Sequence, residues 1–288
     1  MKRTMLMGLI FGAMAVGGYT DESDGIFAYK AGQFEIYMLN ESERDGNTSI
    51  LVSADAALIR RYIPASGFKH ATNAFLIKAP SRNILIDNGT GSSGIILDKI
   101  RKLGVEPENI DTILLTHLHG DHFGSLQRDG RAVFPKATVY LSDREYEYFT
   151  KTNVNQGAVN ALAPYGSQVK TFTPGALNSR LTEIIPGISP IAAYGHTPGH
   201  TAYLIENGGE KFIIAGDILH IALVQFPAPN ISATYDMDAS MAAAMRARLL
   251  DYAAMNKIPL GGMHIAYPGA GMVEPEGSGF KFIPLNQK

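Results

Sequence analysis

Residues 117–122 read HLHGDH and bring His117, His119, Asp121 and His122 together within six positions. Imidazole nitrogen and carboxylate oxygen both bind zinc, at about 2.0–2.2 Å. His117 and His119 are two residues apart, so in extended backbone their rings point to the same side. Asp121 and His122 follow where the chain turns toward a helix, and they can aim at a second point nearby. A cluster of this kind can feed two cations rather than one. The chain holds eight histidines in all, and a loop with three of them would need a partner for every ring if no metal were present. It has no cysteine, so thiolate ligands and disulfides are excluded and a metal must be held by nitrogen and oxygen.

Further ligands must come from other strand ends. IAAYGHTPGH places His196 just after an apolar run, KFIIAGD ends in Asp217, and IPLGGMH ends in His264. Each is a polar residue closing an apolar run beside glycine, which lets backbone approach closely. A lone strand-end histidine is more often structural, and His70 and His200 are read that way. A strand-end aspartate can equally cap a helix.

The elements that position these residues follow from periodicity. FEIYML, NAFLI, NILID, TILLT, ATVYL, IAAY, AYLI and KFIIAGD are strand-length apolar runs separated by glycine, proline and polar clusters. SSGIILDKIRKLG predicts a helix with a serine start, apolar Ile95, Ile96, Ile100 and Leu103, and a stop at Gly104. DMDASMAAAMRARLLDYAAMNKIP predicts a longer helix, capped by aspartate, with Met241, Met245, Leu249 and Tyr252 on one face and Pro259 beyond its end. The order of elements suits mixed sheets between helical layers in one domain.

With 45% hydrophobic and 18% charged residues, the 288-residue chain can build an ample core. A formal charge of −2 without a basic stripe argues against a nucleic-acid partner. MKRTMLMGLIFGAMAVGGYT has a basic start, an apolar run from Met5 to Val16 and Ala13-Met14-Ala15 as a cleavage signal. That run is short for a bilayer span, and no cysteine follows to carry a lipid. The expectation is a signal peptide over 1–20, a single domain over 21–288, a periplasmic or secreted protein, and no stable membrane anchor.

HLHGDH, with His196 in GHTPGH, Asp217 in AGD and His264, resembles the metallo-β-lactamase superfamily from about Gly32 onward. The resemblance implies an α/β fold, a four-layer αβ/βα sandwich of two mixed β-sheets flanked by helices, with the site at one edge. It assigns one metal to His117, His119 and His196, a second to Asp121, His122 and His264, and the bridge to Asp217. It also implies that Asp87, in ILIDNGTG, orients the ligand loop from behind, as acceptors behind metal-binding histidines do. True β-lactamases lack the bridging aspartate, so antibiotic hydrolysis is not expected as the main activity. GDILHIALVQFPAPNISATYDMD and AGQFEIYML are similar to the methyl parathion hydrolase branch, which overlaps with N-acyl-homoserine lactonases. Many lactonases carry a tyrosine three residues beyond the bridging aspartate. Here that residue is His220, either a proton donor or a pocket wall.

The resemblance therefore implies two divalent ions per chain, zinc by preference, which lower the pKa of a bridging water from 15.7 toward 7. The hydroxide would cleave a small hydrophobic ester, lactone or phosphotriester, with Asp121, Asp217 and His220 in catalytic roles. IALVQFPAPN should bring Leu223 and Phe226 to the mouth as an apolar rim. A glyoxalase II-like thiolesterase would usually add a helical C-terminal domain. A persulfide dioxygenase-like oxidoreductase would use one iron and lose second-site ligands such as His122 and His264. A non-catalytic metal-binding module is the remaining rival, and a homodimer is left open.

Overall fold

Alternation along the strands sorts side chains into separate apolar layers. In Lys69–Ala79, Ala74 and Leu76 join one cluster while Phe75 and Ile77 join another. Arg82–Ile86 divides the same way, with Leu85 on one face and Ile84 and Ile86 on the other. Such a period of two with apolar residues on both faces is the pattern of strands covered on both sides. Farther along the chain, Tyr203 and Ile205 face the cluster that holds Phe75, whereas Ala202 and Leu204 face a third.

Three apolar interlayers separate four layers. The central one lies between the sheets, taking Ile77 and Ile86 from one and Ile205 and Ile214 from the other. A second joins the first sheet to helices through Leu76, Ile96, Ile100 and Leu162. The third joins the second sheet to the helix Ala239–Asn256 through Leu204, Ile213, Leu249 and Ala253. The fold is thus the expected αβ/βα sandwich. This computed structural model describes residues 24–286, so the expected signal peptide lies outside the described residues. No helix among the described residues is long and apolar enough to cross a membrane.

The first sheet has seven strands, in the order Ile26–Ala31, Phe34–Asp45, Lys69–Ala79, Arg82–Ile86, Thr112–Leu114, Thr138–Ser142 and Val169–Phe172. Its first four pair antiparallel, and the pairing is parallel from Arg82–Ile86 onward. The second sheet has six, in the order Ile188–Ala192, Thr201–Asn207, Glu210–Ile214, Leu260–Gly261, Ala270–Glu276 and Gly279–Pro284. Both sheets contain parallel neighbours whose C-terminal ends point to one edge. Arg82–Ile86 runs into Asp87 and Thr112–Leu114 into Thr116 and His117. Glu210–Ile214 runs toward Asp217 and Leu260–Gly261 toward His264. One edge of the sandwich thereby collects the polar strand ends.

Two helices differ in detail from their sequence patterns. Ile95–Lys102 starts at Gly94, in left-handed conformation (φ 72°), so serine is not its cap; Ser93 still accepts from the Ile95 N–H at 3.3 Å. Ile96, Leu97 and Ile100 are buried and Ile95 is exposed. Ala239–Asn256 is capped by Asp238, which accepts from the Met241 N–H at 2.9 Å. Its buried face is Ala242, Met245, Arg246, Leu249, Leu250 and Ala253. Met241 is exposed instead. The face is rotated because Arg246 turns inward, toward acceptors that no helical periodicity reveals.

Candidate metal centre

Four of the inward-facing rings are fixed by what their other nitrogen meets. Thr116 donates its hydroxyl to Asp87 Oδ2 at 2.6 Å, so its oxygen accepts from His117 Nδ1 at 3.0 Å. His122 Nδ1 donates to Asp87 Oδ2 at 2.7 Å, and His264 Nδ1 to the Ala71 carbonyl at 2.8 Å. His196 Nδ1 donates to Asp236 Oδ1 at 3.0 Å. In all four Nδ1 carries a proton and Nε2 faces the centre, where it offers a lone pair once any second proton has left. His117 Nε2, His196 Nε2 and His119 Nδ1 form a triangle with sides of 3.0–3.2 Å. Ligands at about 2.1 Å on a tetrahedral ion stand roughly 3.4 Å apart, close to this spacing. Lone pairs so near one another repel unless a cation lies among them. The donor set fits a divalent metal.

Asp217 occupies the middle. Its Oδ2 lies 2.9 Å from His264 Nε2, 3.3 Å from His122 Nε2, 3.5 Å from His196 Nε2, 3.6 Å from His220 Nε2 and 3.7 Å from His117 Nε2. Asp121 closes the far side, 3.6 Å from His122 Nε2 and 3.5 Å from His264 Nε2. The donors fall into groups that can each hold an ion: His117, His119 and His196; Asp121, His122 and His264; and two around Asp217, one with His117 and His122 and one with His196 and His220. Buried His122 Nε2 and Asp217 Oδ1 have no hydrogen-bond partner, and orphaned buried polar atoms in a native fold ask for an explanation. Burial opposes the charge on Asp217, yet His122, His264 and His117 outweigh it and hold the carboxyl well below the usual range. Burial likewise opposes protonation of His122 and His264, but Asp217 first, with Asp121 behind it, raises both. Burial pushes His117 and His196 well below the ordinary imidazole value.

With this geometry in hand, similarity to known proteins becomes informative. The profile of the metallo-β-lactamase superfamily matches residues 67–257, well over half of the chain. The chain belongs to that superfamily. An N-acyl homoserine lactonase from a Bacillus species is 29% identical over 133 residues, 41% of this chain and 46% of that protein. YobT of Bacillus subtilis, an uncharacterised protein, is 30% identical over 152 residues, 52% of this chain and 62% of its own. The chain thus spans about half of these curated relatives. Two solved structures match nearly throughout. The hydrolase AbOPH of the β-lactamase superfamily has a TM-score of 0.83 and 29% identity, covering 92% of this chain and 98% of that one. AidC, a dizinc quorum-quenching lactonase in complex with N-hexanoyl-L-homoserine, has a TM-score of 0.80 and 25% identity, covering 91% and 98%.

Around this metallo-β-lactamase site the supports are specific. Asp87 stands behind His122, and also accepts from the Thr116 N–H at 2.8 Å. It has a φ of 54°, a left-handed conformation that costs a non-glycine residue about 1–2 kcal/mol, held by those bonds. His200 is structural, as expected. Its Nδ1 donates to the Ala193 carbonyl at 2.9 Å and its Nε2 accepts from the Asp217 N–H at 2.9 Å. A Cβ on Gly216 would lie 2.4 Å from that ring nitrogen, and Gly216 has a φ of 59°, so only glycine lets Asp217 turn inward here.

Sequence reasoning missed the support behind His196. Asp236 takes the His196 proton on Oδ1, while its Oδ2 accepts from Arg246 Nη2 at 3.1 Å. Arg246 is completely buried and also donates to the carbonyls of Ile218, Pro229 and Ile231. It ties the loop after Asp217 to the loop before the long helix. Asp236 lies in the stretch TYDMD that carried the finer resemblance, but nothing in its spacing marks it as the partner of His196.

Two expectations, those for Phe226 and His70, need correction, while His220 stands close to the centre. Its Nε2 is 3.6 Å from Asp217 Oδ2, its ring lies 4.9 Å from that of His196, and neither ring nitrogen has a hydrogen-bond partner. Burial pushes it well below the usual imidazole value. Phe226 is not a rim residue: it is buried and stacked on Phe282, with ring centroids 4.7 Å apart, because the short helix Ala222–Gln225 turns it into the core under the second sheet. Leu223, within that helix, is exposed. His70 is buried but not satisfied, since its Nδ1 has no partner; its ring stacks on His264 with centroids 4.6 Å apart.

Proposed function

We propose that the protein is a metal-dependent hydrolase that holds two divalent cations, zinc by preference, and opens small hydrophobic lactones or esters. The observation that carries this reading is the ring of imidazole nitrogens around Asp217 Oδ2, with buried His122 Nε2 and Asp217 Oδ1 left without hydrogen-bond partners that a cation would supply. His117, His119 and His196 would hold one ion, and Asp121, His122 and His264 the other, with Asp217 compensating the charge of both. Two such ions lower the pKa of water toward 7 and polarise a carbonyl or phosphoryl oxygen.

The chain's own residues supply the rest. Asp121 is the most open of the acids, with a side chain 34% exposed, against 3% for Asp217. Burial works against its charge, but His122 and His264 hold it ionised, so Asp121 can accept a proton at the solvent side. His220 stays neutral, and its unpartnered ring N–H can donate to a substrate oxygen. Exposed Leu223, Tyr235 and Met237 lie along the two loops that carry His220 and Asp236. The Tyr235 ring is 5.6 Å from that of His220, and the Met237 N–H donates to the His196 carbonyl at 3.1 Å. Apolar side chains left exposed beside a polar centre suit an acyl chain better than a charged polymer. The lactonase names of the relatives support the same class; phosphotriesters remain in it on the resemblance to the methyl parathion hydrolase branch.

The test is zinc-replete protein assayed against N-hexanoyl homoserine lactone, an aryl ester, methyl parathion and a thioester. Turnover of the lactone or ester, lost with chelator and restored by zinc, is expected. Preference for the thioester would move the protein to the thiolesterase reading. One iron per chain with none of these activities would move it to the oxidoreductase reading.

A further inference from the structure

We propose that Glu145 is a positioning residue, locking together the two halves of the fold so that His196 meets His117 and His119 at the spacing one cation needs. The inference rests on the reading above, in which those three histidines share an ion. The three come from different halves. His117 and His119 follow Thr112–Leu114 of the first sheet, whereas His196 follows Ile188–Ala192 of the second. Nothing in the covalent chain sets the distance between them.

Glu145 lies in the short helix Asp143–Glu147 and is completely buried. Its Oε1 accepts from the N–H of Leu118, the residue between the two histidines, at 2.8 Å. Its Oε2 accepts from the Thr197 hydroxyl at 2.7 Å and the Gly199 N–H at 2.9 Å, one and three residues beyond His196. One carboxylate therefore grips both ligand loops. Packing gives an independent sign of this close fit, since a Cβ on Gly199 would lie 2.2 Å from the Glu145 nitrogen. Other bonds also join the halves, among them those from the Thr201 N–H to the Thr116 carbonyl at 2.9 Å and from the Tyr203 hydroxyl to the Leu115 carbonyl at 2.7 Å. Among the described residues, Glu145 is the one side chain that bonds to the Leu118 N–H, between His117 and His119.

A buried carboxylate is a poor choice for stability alone, because an apolar side chain of similar size often serves a fold as well or better. Its value here is directional: it offers acceptors on two sides at once. Glutamine has the same shape but one acceptor oxygen. In either orientation its NH2 group would face a backbone N–H, that of Leu118 or that of Gly199, so one loop is released.

The experiment is stepwise zinc binding to the full-length protein, by competition with a chromophoric chelator, for wild type and Glu145→Gln. Circular dichroism and melting of the metal-free proteins are recorded alongside. Loss of a group that orients ligands costs about 10–100-fold in metal affinity, so one of the two ions should bind that much more weakly and the other unchanged. In protein also carrying His264→Ala, which leaves His117, His119 and His196 intact, the ion held there should show the loss. Thr197→Val, which removes only the hydroxyl arm, should give a smaller loss at the same ion and carries the test if Glu145→Gln does not fold. Unchanged affinities in the folded variants, or equal losses at both ions, would overturn the proposal. A wild-type protein that takes up no zinc would instead overturn the reading beneath it.

Discussion

Five imidazole nitrogens lie within 3.7 Å of one oxygen of Asp217, so protons and metal ions compete for the same lone pairs. The competition is uneven. His122 and His264 are raised, by Asp217 above all once burial is overcome, whereas burial leaves His117 and His196 well below the ordinary range. A histidine with a raised value carries a proton in the metal-free fold near neutral pH and must lose it to become a ligand. Uptake of the ion at Asp121, His122 and His264 should therefore release protons, and its affinity should climb as pH rises toward those raised values. The ion at His117, His119 and His196 should bind with little release. Calorimetric titration at pH 7 in two buffers of different ionisation enthalpy measures this directly; equal release at both steps would contradict it. His220 belongs to the same scale. It lies beside His196 and Asp217 in a group that could hold an ion, but it stands outside the two proposed ligand sets, so His220→Ala should keep both ions while kcat/KM on a lactone falls about 10²-fold, the usual loss for a removed proton donor. Loss of an ion in that variant would make His220 a ligand.

At the scale of elements, what was legible in the sequence was what is local. HLHGDH announces itself because four donors lie within one turn, and His196, Asp217 and His264 stand out because each closes an apolar run. The residues that hold them do not. Glu145 reads as one polar residue in the acidic helix DREYE, and Arg246 as the solvent face of a helix rich in alanine and methionine. Their roles arise only when loops distant in sequence are packed together, and no periodicity carries that information. Phe226 fails for the opposite reason: it is apolar and close in sequence to Asp217, but the turn of Ala222–Gln225 sends it inward. Arg246 offers a test at this scale. The side chains of both Arg246 and Asp236 are fully buried, and removing one partner of a buried pair typically costs about 3–5 kcal/mol. Urea denaturation of zinc-free Arg246→Ala should show a loss of that size. A loss below about 1 kcal/mol would mean the network relaxes onto water, contrary to the satisfied bonds described above.

At the scale of the molecule, two sheets of different composition share one apolar interlayer and present their polar strand ends at one edge. Sheets between helical layers were legible because continuous apolar runs mark strands covered on both faces; the pairing order of the strands was not, since it depends on contacts far apart in the chain. Residues 1–20 carry the pattern of an export signal, and the mature protein should begin between about residues 16 and 21. Intact-mass measurement on protein recovered from cells would show it, and a soluble form retaining Met1 would refute it. The claim on which the rest depends is that the two halves meet around a pair of cations compensated by Asp217. The most direct measurement is zinc content per chain, by elemental analysis after dialysis against buffered trace zinc, for wild type and Asp217→Asn side by side. The account predicts two ions in the wild type. In Asp217→Asn, where the shared negative charge is gone, zinc retention should fall and lactone turnover should drop by orders of magnitude. Two firmly held ions and near-normal turnover in Asp217→Asn would contradict it.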